Sequence, residues 1–201
     1  MNIRTRPTAE ETRLRIVDAA EDLFLRLGYA KTAVADIAAA LRMSPANVYR
    51  FFPSKQAIVE AICTRCMGRL EERLWALARA KEIPAPERLE RLVLETLAYH
   101  RETCISEQRV HDMVLAAIEH SWSSIHAHKK AVRDVVERIL QDGVEQGALA
   151  PMDTHETARL FMNAVVRFMH PVLIAHGLAE DLETEARKTV RFLLKAMRPD
   201  G

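Results

Sequence analysis

Glycine and proline are scarce in this chain, at 6 and 8 of 201 residues, and β-branched runs are few. That deficit argues against a strand-rich fold; with abundant Ala, Leu, Arg and Glu it predicts an all-α protein. Three cysteines, an odd number, do not make a disulfide framework. No stretch reaches the roughly 18 uncharged apolar residues of a membrane helix, because Arg167 and His170 interrupt the longest candidate. Arg4 and Arg6 are not followed by the apolar run of a secretory signal, so a reducing cytoplasm and no membrane are expected. Neither HExxH, nor a Gly-rich phosphate loop, nor a nucleophile elbow is present. No catalytic group, metal or cofactor is therefore expected.

An excess of charge is also missing, since the net charge is only +1. Its distribution is uneven. Residues 1–58 carry nine basic side chains against six acidic, a net +3, which leaves the remainder at −2. The first segment is thus the one suited to a polyanion.

What is present is helical periodicity of 49% hydrophobic content, enough to bury a real core. Thr8 and Glu11 form a capping box ahead of the stripe Ile16, Ala20, Leu23, Phe24 and Leu27, which ends before Gly28. Val34, Ile37, Ala38 and Leu41 mark a second, short helix, and Arg42 and Met43 make a turn. Ser44 can cap a third helix, with Pro45 at its first position and Pro53 as its stop. Placing Val48 inward brings Phe51 and Phe52 toward the core and turns Ala46, Asn47, Tyr49 and Arg50 outward. An amide that can pair with adenine, a guanidinium suited to guanine or phosphate, a phenol and small groups make that face fit for the major groove. Helix-turn-helix is the reading this supports.

From Ser54 to about Ala80 a single long helix extends beyond the small N-terminal unit, a rigid rod shared by two domains. Later helices are predicted after Pro86, over about Ser106 to His120, and over residues 126–146, with a turn at Ser121 to Ser124. Asp153 and Glu156 form another capping box for a helix that Pro171 should kink and Gly177 should end. The last helix runs from about Leu182 to Met197. These last two are apolar over more than one face, which a homodimer would bury.

The residues Thr32, Ala33, Val34, Ile37, Ala38, Ser44, Val48, Tyr49, Phe52 and Lys55 together resemble the signature of the tetracycline-repressor (TetR) family of bacterial transcriptional regulators. The resemblance implies an N-terminal three-helix helix-turn-helix unit over residues 8–60, joined by the long helix to a ligand-binding and dimerisation bundle over 61–201. It implies a transcriptional repressor bound to a palindromic double-stranded operator and released by a small-molecule effector. It further implies DNA contacts at Thr32, Ala33, Pro45, Ala46, Asn47 and Arg50, with Tyr49 and Lys55 on the phosphate backbone. Two positions depart from the family pattern: Ala33 lacks the usual hydroxyl, and Phe51 replaces a common His or Tyr. Each removes a phosphate donor.

His100 lies on an apolar helical stripe. With Tyr99, Met113, Trp122, Phe161 and Val165 it is the expected lining of an effector pocket. The lone CxxC at Cys63 and Cys66, and His120, His126 and His128 near Trp122, allow a rival class, a helical small-molecule-binding or metal-dependent bundle that does not bind DNA.

Overall fold

The protein is represented by a computed structural model, which describes residues 7–105 and 123–199. Nine α-helices form among the described residues, and no strand does. They are α1 (Ala9–Leu27), α2 (Val34–Ala40), α3 (Pro45–Tyr49), α4 (Lys55–Arg79), α5 (Ala85–His100), α6 (Ser123–Glu145), α7 (Thr154–Met169), α8 (Pro171–His176) and α9 (Leu182–Lys195). A π-helical turn, Arg101–Ile105, follows α5. The expected helix at Ser106 to His120 lies outside the described residues, as do Ser121 and Trp122.

The described chain divides into two compact units, one over residues 7–65 and one over 66–105 with 123–199. Helix α4 is continuous across the division, as its unbroken apolar periodicity requires. In the first unit α1, α2 and α3 close around Ile16, Ala20, Phe24, Ile37, Val48, Phe52, Ile58 and Ile62. Thr8 and Glu11 make both halves of their box: the Glu11 N–H donates to the Thr8 hydroxyl at 3.1 Å and the Thr8 N–H to the Glu11 carboxylate at 2.7 Å. Gly28 takes φ +92°, the left-handed geometry that ends α1 at little cost to a residue without Cβ.

In the second unit α5 is central, packed against α6, α7 and α9. Its stripe of Leu89, Leu92, Val93, Thr96 and Leu97 is buried throughout. Two sequence expectations need correction. Pro171 breaks the helix outright, with His170 extended at φ −98°, ψ 120°, because the ring clashes with the preceding turn and α8 must restart. Asp153 caps α7 through the Glu156 N–H at 3.0 Å, but the Glu156 carboxylate turns outward to Arg159, so only half of the box forms.

Four polar side chains, Arg88, Thr96, His100 and Asp142, are buried in this unit. Arg88, fully buried, donates to the Ala78 carbonyl at 2.6 Å and to Asp142 at 3.0 Å, tying together α4, α5 and α6. Burial alone would raise the Asp142 carboxyl, but the Arg88 hydrogen bond and the charges of Arg138 and Lys81 hold it below the usual range. His100 is buried beside Tyr99, their rings edge to face at 6.0 Å. Burial first, then the neighbouring His128 and His170, push its pKa from 6.5 down to about 4, although a hydrogen bond to the Met169 backbone opposes them.

Asp142→Ala should destabilise the protein by about 3–5 kcal/mol, since it strands a buried guanidinium, whereas the double change Arg88→Met, Asp142→Leu should recover most of the loss. Urea unfolding of the three variants checks this. His100 is neutral in the fold and more basic in the unfolded chain, so its contribution is complete above pH 6.5 and is lost as pH falls from there toward about 4. Over that window His100→Gln should flatten the fall in unfolding free energy, by at most ~1.4 kcal/mol per pH unit, in urea titrations at a series of pH values.

Candidate nucleic-acid interface

Helix α3 has only five residues, far fewer than a helix needs to persist alone, so its neighbours must hold it. The holding begins in the turn before it. Arg42 adopts φ 56°, left-handed for a side-chain-bearing residue, and the Met43 N–H returns to the Ala38 carbonyl at 2.9 Å. The Ser44 hydroxyl then accepts from the Asn47 N–H at 3.3 Å, and Pro45 occupies the first helical position. Val48, 0% exposed, anchors the middle, and Phe52 is buried beyond the end. Phe51, expected inside, is only half-buried.

With Val48 inward, Pro45, Ala46, Tyr49 and Arg50 are exposed and Asn47 is half-buried, its amide 3.8 Å from the Met43 sulfur. Pro45, Ala46, Tyr49 and Arg50 of the expected set are thus exposed together, and Asn47, expected to point away, is so only in part. Ala33, also exposed, caps α2 without a side-chain acceptor; the Asp36 carboxylate accepts from its N–H at 2.7 Å.

Thr32 departs from expectation. Only 2% exposed, it donates its hydroxyl to the Gly28 carbonyl at 2.9 Å and so fastens the α1–α2 connection rather than facing outward. Lys55 is half-buried: its ammonium donates to the Tyr29 carbonyl and lies 4.1 Å from the centre of the Tyr29 ring. Desolvation lowers its pKa, and the charge of Asp36 opposes that shift.

Arg13, which helical periodicity does not single out, reaches α3 from α1. Its guanidinium donates to the Phe51 carbonyl at 2.9 Å and sits 4.2 Å from the centre of the Phe52 ring. No local pattern announces a contact between residues 38 apart in sequence.

The expected effector residues lie in the second unit. Tyr99, His100, Phe161 and Val165 are all buried there, and the Tyr99 hydroxyl donates to the Cys66 carbonyl at 2.7 Å. Met113, Trp122 and His120 fall outside the described residues. His128 pairs with Glu71 at 2.7 Å, while His126 is exposed. A separate open groove of about 810 Å³ borders α4, α5 and α9, but its charged walls are largely paired among themselves, as in Arg73–Glu95 and Arg187–Glu90. Among the described residues, no group of three His, Cys, Asp or Glu is placed to hold a metal ion, and no helix is long and apolar enough to cross a membrane.

Residues 16–62 match the family profile described as bacterial regulatory proteins, tetR family, and residues 85–190 match the tetracyclin repressor-like C-terminal domain. A probable HTH-type transcriptional regulator, ArpR of Pseudomonas putida, is 30% identical over 164 residues, 82% of this chain and 70% of its own. Among solved structures, a TetR/AcrR-family regulator from Thermobifida fusca superposes with a TM-score of 0.66 at 21% identity, covering 94% of this chain and 99% of that one. Thermus thermophilus FadR, a TetR-family repressor solved with lauroyl-CoA, gives 0.66 at 23% identity, covering 94% and 96%. With a helix-turn-helix at its N-terminus and the matching domain behind it, this chain belongs to the TetR family of bacterial transcriptional regulators.

Proposed function

We propose that the chain is a homodimeric repressor in which residues 8–60 bind a palindromic operator and residues 61–201 bind a small-molecule effector that releases it. The observation that carries the DNA reading is the outward face of α3, fixed by the burial of Val48. Pro45, Ala46, Asn47 and Arg50 meet base edges in the major groove, and Tyr49 and Lys55 hold the phosphates on its rim. The Lys55 ammonium has three N–H donors and spends one on Tyr29, which leaves it positioned and still able to donate.

Dimerisation follows from selectivity, since one short helix reads too few base pairs and a two-fold pair reads two half-sites. Leu160 and Val166 on α7, Leu173 on α8 and Phe192 on α9 are exposed apolar side chains, and a partner copy would cover them. For the effector, His100 is buried in the second unit, and His128 and His170, both half-buried, lie near enough to act on its charge. A ligand that favours the form unable to bind DNA shifts the equilibrium by its difference in affinity, and DNA weakens that ligand in equal measure. The FadR structures solved with lauroyl-CoA and stearoyl-CoA are instances of this fold in complex with a small molecule. A DNA-bound repressor acts in the cytoplasm.

A gel shift against the DNA upstream of its own gene should show binding that weakens steeply between about 50 and 200 mM salt. Tyr49→Ala should weaken binding to all sequences alike, while Asn47→Ala should change the preferred sequence, costing about 1–3 kcal/mol of discrimination at one position. Binding unaffected by either would refute the proposed docking. Phe192→Lys, at a site 73% exposed, should leave the fold intact and shift the species seen by light scattering from dimer toward monomer.

A further inference from the structure

We infer that Arg13 is a DNA-phosphate anchor, held just beyond the C-terminal end of the recognition helix by the Phe51 carbonyl. This rests on the DNA-binding reading above and adds a binding residue that helical periodicity does not reveal.

The Phe51 carbonyl belongs to the turn that follows α3, two residues past Tyr49. An oxygen of that kind beside a nucleic-acid backbone would face phosphate with like polarity. Arg13 removes the conflict, because one guanidinium nitrogen donates to that carbonyl at 2.9 Å. The same group lies 4.2 Å from the centre of the buried Phe52 ring, so its plane is set by two contacts.

Arg13 is nevertheless exposed. A guanidinium has five N–H donors in a rigid fork, and the carbonyl uses one, leaving a prepaid cation with donors directed to solvent. Its position matters more than its charge. Phosphates run along both rims of the major groove, so a helix lying in the groove has a backbone strand near each end. Tyr49 and Arg50 are exposed on the last turn of α3, immediately before the Phe51 carbonyl that Arg13 grips. Holding that carbonyl places the cation on the rim to which the exposed face leads. The anchor also lies where Phe51 offers no polar group, so α1 supplies a donor that α3 does not.

Two roles must be separated, a clamp on α3 and a contact with DNA. Arg13→Gln removes the charge and leaves a shorter side chain that still ends in an N–H₂, whereas Arg13→Ala removes both. Arg26→Gln serves as the control for net charge, since Arg26 is paired with Asp22 at the far end of α1. The probe is a duplex recovered by in vitro selection with the parent protein from a random-sequence library. Its affinity is read by fluorescence anisotropy over a salt series, and thermal melting of each protein is read alongside. For a phosphate anchor in both protomers, Arg13→Gln makes the slope of log K against log salt shallower by about two, while Arg26→Gln leaves it unchanged. The parent's advantage over Arg13→Gln then shrinks roughly tenfold between about 50 and about 200 mM salt. An unchanged slope in Arg13→Gln, with a lowered melting temperature in Arg13→Ala, makes Arg13 a clamp only and overturns the anchor. Failure of the parent to select any duplex overturns the DNA reading itself.

Discussion

The burial of Val48 is the constraint on which the DNA-facing unit depends. A five-residue helix has almost no stability of its own, because the cost of nucleation is met by too few hydrogen bonds. Once Val48 and Phe52 are inside, the 100° step between residues leaves Ala46, Tyr49 and Arg50 only one direction to point. The reading face is thus a consequence of packing on the opposite side of the helix. Its polar residues contribute little to holding α3 in place, which leaves them free to be chosen for DNA.

The supports around α3 are mostly polar and come from elsewhere in the chain. Ser44 caps its start, Arg13 takes a carbonyl at its end, and Ser54 caps α4 immediately afterwards through the Ala57 N–H at 3.1 Å. Thr32 belongs to the same scaffold: its hydroxyl holds α1 to α2 through the Gly28 carbonyl. A Thr at that position serves DNA binding indirectly, by fixing where α2 begins. The exposed face of α3 and most of the side chains that hold α3 are therefore different sets, and Lys55 is itself fixed to the Tyr29 carbonyl.

Much of this was legible in the sequence because the signals are local. The Thr8–Glu11 box, Pro45 behind Ser44, and the α5 stripe each depend on residues within one or two helical turns. The misreadings share a different origin. Thr32 carries the same hydroxyl whether it faces a phosphate or a backbone carbonyl, and only the fold decides between them. The partner of Arg88, Asp142, stands 54 residues away, and no local pattern joins the two. Pro171 reads in sequence as a bend, but it forces His170 into the extended region and so ends α7 instead of bending it. The expected effector residues Tyr99, His100, Phe161 and Val165 do share one interior, yet periodicity cannot distinguish a packed core from a lined pocket, since both require an inward face.

That ambiguity bears on how a regulator of this kind can respond to a small molecule. A fully apolar interior would be held shut by packing alone and would discriminate poorly among apolar ligands. His100, kept neutral by burial, presents a ring nitrogen and an N–H whose hydrogen bonds must be met whether or not a ligand is bound. In the closed interior the Met169 backbone supplies one of them, at the place where α7 ends and Pro171 interrupts the helix. A ligand able to take over that hydrogen bond would compete with the backbone just ahead of the break between α7 and α8. For the effector proposed above, occupancy would be coupled to helix position through that one polar group, the kind of difference in affinity between two forms that release requires.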